Sequence, residues 1–371
     1  MMDRIEEYTI ERIKSEVERY FPFYDSRVEK DGLIFFCNID GEEDIEYKFD
    51  LLRENLSRYN FIPLIRKEGG EYVLYIFPAK VKRKRTSTAV NLALLIATLI
   101  TTTLTGSLLM SDKMSLLEAG AIEEIMKFEN LLNGFIQFSL PLLTILGVHE
   151  MAHYFASRKH NIKTSLPFFI PVPPIFGFNI GTFGALISSR EPIHNRKALF
   201  DIGFSGPIAG FMVAIPIVIY GIMNSEIVPK ESASGKIVLG SFLLFDILTR
   251  LILNISTYQY TIILHPAAFA GWVGLVITSV NLLPIGQLDG GHIARAVLGD
   301  KQKHIGWIAV ITLLFTGWFA FALIIALLFG VSHPPPLNDI SKVDTKRKIL
   351  FAVAMIILIL CFSAYPVYLS S

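Results

Sequence analysis

Cysteine is nearly absent. Cys37 and Cys361 stand at opposite ends of the 371-residue chain, which excludes a disulfide framework and a thiolate metal site. Net charge is scarce as well: 34 basic residues against 33 acidic ones leave a formal +1, and nothing points to nucleic acid as a partner. Charged residues make up only 18% of the chain, hydrophobic ones 52%, and mean hydropathy is +0.49. That is too apolar for an ordinary soluble chain of this length. Apolar runs long enough to cross a bilayer explain it, so the expected fold is a polytopic α-helical membrane protein of about six spans. No internal repeat or low-complexity tract is visible, and the charged start MMDRIEEYTIERIK predicts no cleavable signal peptide.

Residues 1–85 read as a small soluble α+β module. Ile5, Ile10, Ile13 and Val17 fit one face of a charged helix, and residues 28–39 alternate like a strand around Leu33, Phe35 and Cys37. A second helix is expected over residues 50–59, then a hairpin of 61–66 and 72–77 joined by Gly69 and Gly70. The module contains no histidine and no catalytic grouping, which leaves it a regulatory or docking part. Lys80, Lys82, Arg83, Lys84 and Arg85 directly precede the first apolar run, residues 89–110. Bases in that position anchor the cytoplasmic side, so the module is expected in the cytoplasm and the first span to run outward.

What the chain does contain is a stretch at residues 144–159, TILGVHEMAHYFASRK, in which His149, Glu150 and His153 spell H-E-x-x-H. On a helix both imidazoles leave one face, the spacing two nitrogens need to grip one zinc ion, with Glu150 beside them as a base for water. The surrounding run, residues 135–156, carries no charge except Glu150 and is expected as the second, inward span, followed by Arg158, Lys159 and Lys163. At ~1.5 Å per residue, His149 then lies roughly 13 Å below the cytoplasmic surface.

Residues 165–189 are apolar yet broken by Pro167, Pro171, Pro173, Pro174, Gly177, Gly181 and Gly184, so a regular helix is excluded. Two readings stand: a re-entrant loop or hairpin beside the site, with an edge strand at 182–188, or an interfacial loop. A third span is expected over residues 198–223, where Gly206 and Gly210 allow close helix packing, and a fourth over 266–283, with an external amphipathic piece at 236–253 between them. A fifth and a sixth are expected at 304–331 and 349–368. If both cross once, Lys346, Arg347 and Lys348 fall on the outside, against the charge bias; either the fifth is a re-entrant pair or this loop breaks the rule.

A catalytic zinc usually takes three protein ligands and keeps one open position. Intramembrane carboxylates are few, and Asp289, at the inner end of the fourth span among Gly286, Gly290 and Gly291, stands out; Asp201 is the alternative, and Asp246 lies too far outward. HEMAH at 149–153, GPIAG at 206–210, GTFGA at 181–185 and NLLPIGQLDGG at 281–291 together resemble the site-2 protease family of intramembrane zinc metalloproteases. The resemblance covers about residues 135–295, leaving residues 304–371 and the N-terminal module aside, and no family-type PDZ or CBS domain is evident. It implies one zinc per chain held by His149, His153 and Asp289, Glu150 as general base, and Asn281 as donor to the scissile carbonyl or its oxyanion. Gly181, Thr182, Phe183, Gly184 and Ala185 match the family's membrane-embedded sheet segment, and an extended substrate pairing with that edge is the expected mode of binding. The implied substrate is a transmembrane protein, cut in or near its span within the bilayer; a prokaryotic cell membrane is the expected location. Rival readings are a membrane-anchored zinc peptidase acting on soluble or misfolded proteins, and a metal transporter or scaffold. The other histidines are read first as structural: His160 and His194 as interfacial, His304 and His333 at segment ends, His265 at the external end of the fourth span, and His292 likewise, with support of the metal site as its alternative because it follows the Asp289 motif closely.

Overall fold

The structure is a computed structural model and describes residues 7–29, 32–39, 44–79, 87–111, 117–175, 180–189, 191–229, 237–254 and 260–369. The basic run at 80–85, along with Ile5 and Gly177, falls outside the described residues. The chain divides into two units.

The first unit comprises Met1–Lys84, Pro192–Leu199 and Pro334–Thr345. Helix α1 (Glu7–Tyr20) buries Ile13 and Val17 on one face, as their spacing demands. Strands β1 (Phe23–Glu29) and β2 (Gly32–Cys37), helix α2 (Ile45–Ser57), and strands β3 (Phe61–Glu68) and β4 (Glu71–Pro78) follow. The sheet is antiparallel in the order β1-β2-β4-β3. The single strand expected over 28–39 is instead split between two antiparallel strands, with Val28 opposite Leu33 and Glu29 opposite Gly32. Phe35, Phe49, Leu52, Leu56, Ile65, Leu74 and Ile76 form the core, and Leu337 from the far end of the chain is buried among them. Backbone hydrogen bonds secure that insertion: Ile65 N–H donates to Leu337 O at 2.8 Å and Asp339 N–H to Ile65 O at 3.0 Å. Within the same unit Arg196 pairs with Asp339 at 3.0 Å and Lys197 with Glu46 at 2.6 Å.

The second unit starts with helix α3 (Thr88–Leu109), N-capped by Ser87, whose hydroxyl accepts from Ala89 N–H. Asn91, Thr98, Thr102 and Thr105 form a buried polar stripe on this otherwise apolar helix. Helix α4 (Ala121–Ile125) follows, then α5 (Phe128–Gly134), a π-helical turn (Phe135–Ser139) and α6 (Leu140–Lys159), which run together as Phe128–Lys159. Pro141 accounts for the π turn: its ring would meet the carbonyl of Gln137 in regular α geometry, and widening the helix there relieves the clash.

Strands β5 (Phe168–Pro171) and β6 (Thr182–Leu186) pair antiparallel, so the proline-rich stretch is a hairpin, and the expected edge strand is present. Helix α7 (Arg196–Met223) leads to β7 (Glu226–Pro229), β8 (Ile237–Leu239), the amphipathic α8 (Leu243–Leu253) and β9 (Tyr260–Ile263), which pairs with β7. Helix α9 (Pro266–Asn281) lies at the centre of the unit: every residue from Ala267 to Val276 is buried, with Phe269 stacked on Phe138. Helix α10 (Asp289–Leu298), a 3-10 turn (Gly299–Lys301), α11 (Gln302–Leu314), α12 (Phe319–Ile324) with a π turn (Ile325–Phe329), α13 (Thr345–Cys361) and β10 (Val367–Leu369) complete the chain.

Against six expected spans, three helices among the described residues are long and apolar enough to cross a membrane: Thr88–Leu109, Phe128–Lys159 and Arg196–Met223. Helices α9 and α13 have 16 and 17 residues. The fifth stretch does not run straight. It breaks after Leu314, and α12 packs back on α11. Its two ends meet: the Gln302 amide donates to Val331 O at 3.0 Å and accepts from His333 N–H at 2.9 Å. A stretch that returns to its start removes the need to put Lys346, Arg347 and Lys348 on the outer side.

Candidate metal centre

Helical spacing brings His149 and His153 to one face of α6, and both are buried, at 3% and 8% exposure. Across from them the chain leaves α9 at Asn281 and turns into α10, whose first residue is Asp289. Gly286 makes that turn with φ of 48°, a backbone region that side chains disfavour. The Gln302 amide also donates to Pro284 O at 3.0 Å, and Gly286 N–H donates to Val331 O at 2.9 Å, so the α11–α12 hairpin supports the loop from behind.

The result is a triangle of acceptors. His149 Nε2 and His153 Nε2 are 3.1 Å apart, and each lies 3.3 Å from Asp289 Oδ2. His153 Nδ1 is 2.7 Å from Ile202 O. A carbonyl only accepts, so Nδ1 carries the proton and Nε2 presents a lone pair. Acceptor atoms gathered this closely repel one another unless a cation sits between them. Ligand atoms bonded at about 2.0–2.1 Å in a tetrahedron stand roughly 3.3 Å apart, which these distances match. His149, His153 and Asp289 form the one metal-competent group of His, Cys, Asp and Glu among the described residues.

Glu150, next to His149 on α6, is buried as well, at 8% exposure. Asn281 reaches the centre from α9, its Nδ2 3.5 Å from His149 Nε2. The glycines of α7 also have a local cause. A Cβ on Gly206 would land on the His153 ring, and one on Gly210 would touch His149. The GPIAG segment therefore makes room for two imidazoles as well as for a neighbouring helix. Strand β6 packs against α6, with Thr182 buried and Phe183 81% exposed. Gly181 O accepts from Thr101 on α3 at 2.7 Å, while Gly184 and Ala185 face inward.

Asp201, the alternative third ligand, lies outside the metal-competent group. Its carboxylate takes both Nε and Nη2 of Arg347 and Nε2 of His160. His160 thus has a definite partner within the unit. His265 accepts from Ala267 N–H as N-cap of α9, and His292 stacks edge-on with His333, centroids 4.4 Å apart. Sequence reasoning missed the Ile202 carbonyl, which has no side-chain signal, and the Asp201–Arg347 pair, whose members are too far apart in the chain for spacing to link them.

Residues 137–325 match the model of peptidase family M50. Over 249 residues the chain is 31% identical to "Probable zinc metalloprotease EGY1, chloroplastic" of Arabidopsis thaliana, covering 62% of this chain and 44% of that protein. Over 250 residues it is 29% identical to the protein of the same name from Oryza sativa subsp. japonica, covering 62% and 41%. It is 28% identical over 380 residues to "Probable zinc metalloprotease EGY2, chloroplastic" of Oryza sativa subsp. indica, covering 98% and 67%. The chain spans about two fifths of the length of the two EGY1 relatives.

Proposed function

The chain belongs to peptidase family M50, and from that premise we propose that it is a zinc metalloendopeptidase cutting membrane proteins within or near their transmembrane segments. The observation that carries the reading is the acceptor triangle of His149, His153 and Asp289, with Glu150 next to His149 on α6 and Asn281 at its rim. His149 and His153 offer neutral nitrogens and Asp289 one carboxylate oxygen, a donor set suited to zinc. Zinc bound there supplies Lewis-acid polarisation of the scissile carbonyl and makes the attacking water acidic near neutral pH.

The chain's own groups do the rest. Glu150 takes the proton of the attacking water and returns it to the leaving amine. The Asn281 amide donates to the carbonyl oxygen as negative charge develops, an effect of roughly 3 kcal/mol in other proteases. A helical substrate hides its amides, so it must unwind before attack. The unpaired edge of β6 offers backbone groups that hold it extended.

Location within the bilayer is supported by the apolar helix that carries both histidines. The positive-inside pattern supports a site toward the cytoplasmic face, with the N-terminal module on that side and the bilayer and a membrane-protein substrate as partners. The relatives' names carry the word chloroplastic, so the expectation of a prokaryotic membrane draws no support from them.

The test uses the purified full chain in detergent with one equivalent of zinc and a reporter bearing a transmembrane helix. Wild type is expected to cut within the span, and Glu150→Gln to lose about 10²–10⁴-fold in rate, with chelator abolishing cleavage in both. Zinc binding without cleavage of any span would overturn the reading. Cleavage of soluble proteins alone would favour the soluble-substrate peptidase, and zinc bound with no hydrolysis at all a transporter or scaffold.

A further inference from the structure

Given the metal centre proposed above, we propose that Asp201, gripped by Arg347 of α13 and by His160 at the C-cap of α6, is a positioning residue that sets the orientation of the ligand His153. The His153 ring is aimed by a single strong bond, Nδ1–H to Ile202 O at 2.7 Å. That carbonyl belongs to α7 and also accepts from Ser205 Oγ at 2.9 Å. Where it stands relative to α6 therefore decides where His153 Nε2 points. The residue immediately before it, Asp201, is the most heavily bonded side chain at this end of the helix. Arg347 Nε donates to Oδ1 at 2.7 Å and Nη2 to Oδ2 at 2.6 Å, the bidentate fork, while His160 Nε2 lies 2.9 Å from Oδ2.

The arrangement has a mechanical logic. His153 lies inside α6 and His160 caps its C-terminal end seven residues on, so α6 and its cap hydrogen-bond to α7 at two points and meet consecutive residues of α7. One attachment alone would let the helices slide or rotate about it; two define their register. Arg347 braces the second attachment from a third helix. The side chains of Asp201, His160 and Arg347 keep 24%, 21% and 20% exposure, which puts the pair between a solvated surface bridge of little worth and a costly buried one. Arg347 lies beyond residues 137–325, the stretch that matches the family model. With Lys346 and Lys348 it forms a basic run that the sequence alone leaves without a settled side of the membrane, and the fork gives Arg347 a definite partner in Asp201.

The experiment measures zinc affinity on the purified, metal-free full chain by competition with a chromophoric chelator. It adds kcat and KM on the reporter and the Tm of the metal-free form. Asp201→Asn and Arg347→Met are expected to weaken zinc binding about 10–100-fold, as loss of a group that orients a ligand does. They should lower kcat while KM stays within about twofold, and Arg347→Lys should recover part of the affinity. A role confined to stability would lower Tm and leave zinc affinity and kcat at wild-type values, and that result overturns the inference. Should Arg347→Met not fold, Asp201→Asn and His160→Gln, both close in shape to the native residues, decide the matter by the same readouts. Wild type that binds no zinc would overturn the metal-centre reading and this inference with it; wild type and variants binding zinc equally would overturn only this one.

Discussion

Gly206 carries the sharpest prediction at the scale of single residues. In an indifferent helical position, alanine would stabilise by about 1 kcal/mol relative to glycine. Here the added methyl would meet the His153 imidazole, so Gly206→Ala should instead displace a ligand. The expected outcome is a loss of at least tenfold in zinc affinity, read by chelator competition, with the helix content of the metal-free protein unchanged by circular dichroism. Equal affinity would mean that the ring has room to move. The small residues of GPIAG were legible in the sequence as a place of close approach, but which atoms approach was not, because the two histidines lie on another helix. Asp289 and Asp201 were likewise legible as the two candidate carboxylates; what separates them is the company each keeps, two converging imidazole nitrogens in one case and the donors of Arg347 and His160 in the other.

Among the elements, α3 has a task its hydropathy does not announce. Asn91 donates to both Leu166 O and Pro167 O at 2.9 Å, and Thr101 to Gly181 O at 2.7 Å, so the helix holds the β5–β6 hairpin by its backbone carbonyls. Gly181 O also accepts from Val172 N–H at 3.1 Å, so Thr101 adds a second donor to a carbonyl of the hairpin, and in an apolar surrounding each such bond offsets the cost of a buried polar group. If β6 holds the substrate extended, Ala185→Pro or the double change Asn91→Leu with Thr101→Val should reduce cleavage of the transmembrane reporter at least tenfold while zinc remains bound. Cleavage at the wild-type rate would remove β6 from the mechanism. The prolines and glycines of the broken apolar run excluded a regular helix there, but pattern alone left a hairpin beside the site and an interfacial loop both open. The fold-back of residues 302–331 was only one of two options, since an apolar run of that length suits a straight span equally well, and the Gln302 bonds that close it join distant residues.

On the scale of the whole molecule, the N-terminal α+β unit is not made of N-terminal residues alone. Leu337 is buried in its core and bonded along β3. Leu337→Ala is expected to cost about 2–5 kcal/mol of that unit's stability. Cys37 offers a readout: it is buried, and burial pushes its thiol up to about 12, so the folded unit keeps it unreactive at neutral pH. In a Cys361→Ser background, opening of the unit should then expose Cys37 to alkylation at least about 30-fold faster in Leu337→Ala, each 1.36 kcal/mol being tenfold. An unchanged rate would show that Leu337 does not hold the core.

The sequence by itself determined what depends on neighbours along the chain. The apolar runs, the periodicities of the N-terminal unit, the helix that carries His149, Glu150 and His153 on one side, and the turn at Pro284 and Gly286 before Asp289 all follow from local stereochemistry, which a few consecutive residues express. Tertiary structure alone decided the rest: that Asp289 and Asn281 meet His149, that Ile202 aims His153, that Arg347 reaches Asp201, and that Leu337 closes a core begun near the first residue. Those contacts join segments whose separation in sequence carries no periodic signal, and packing selects them from many partners of the same chemical type.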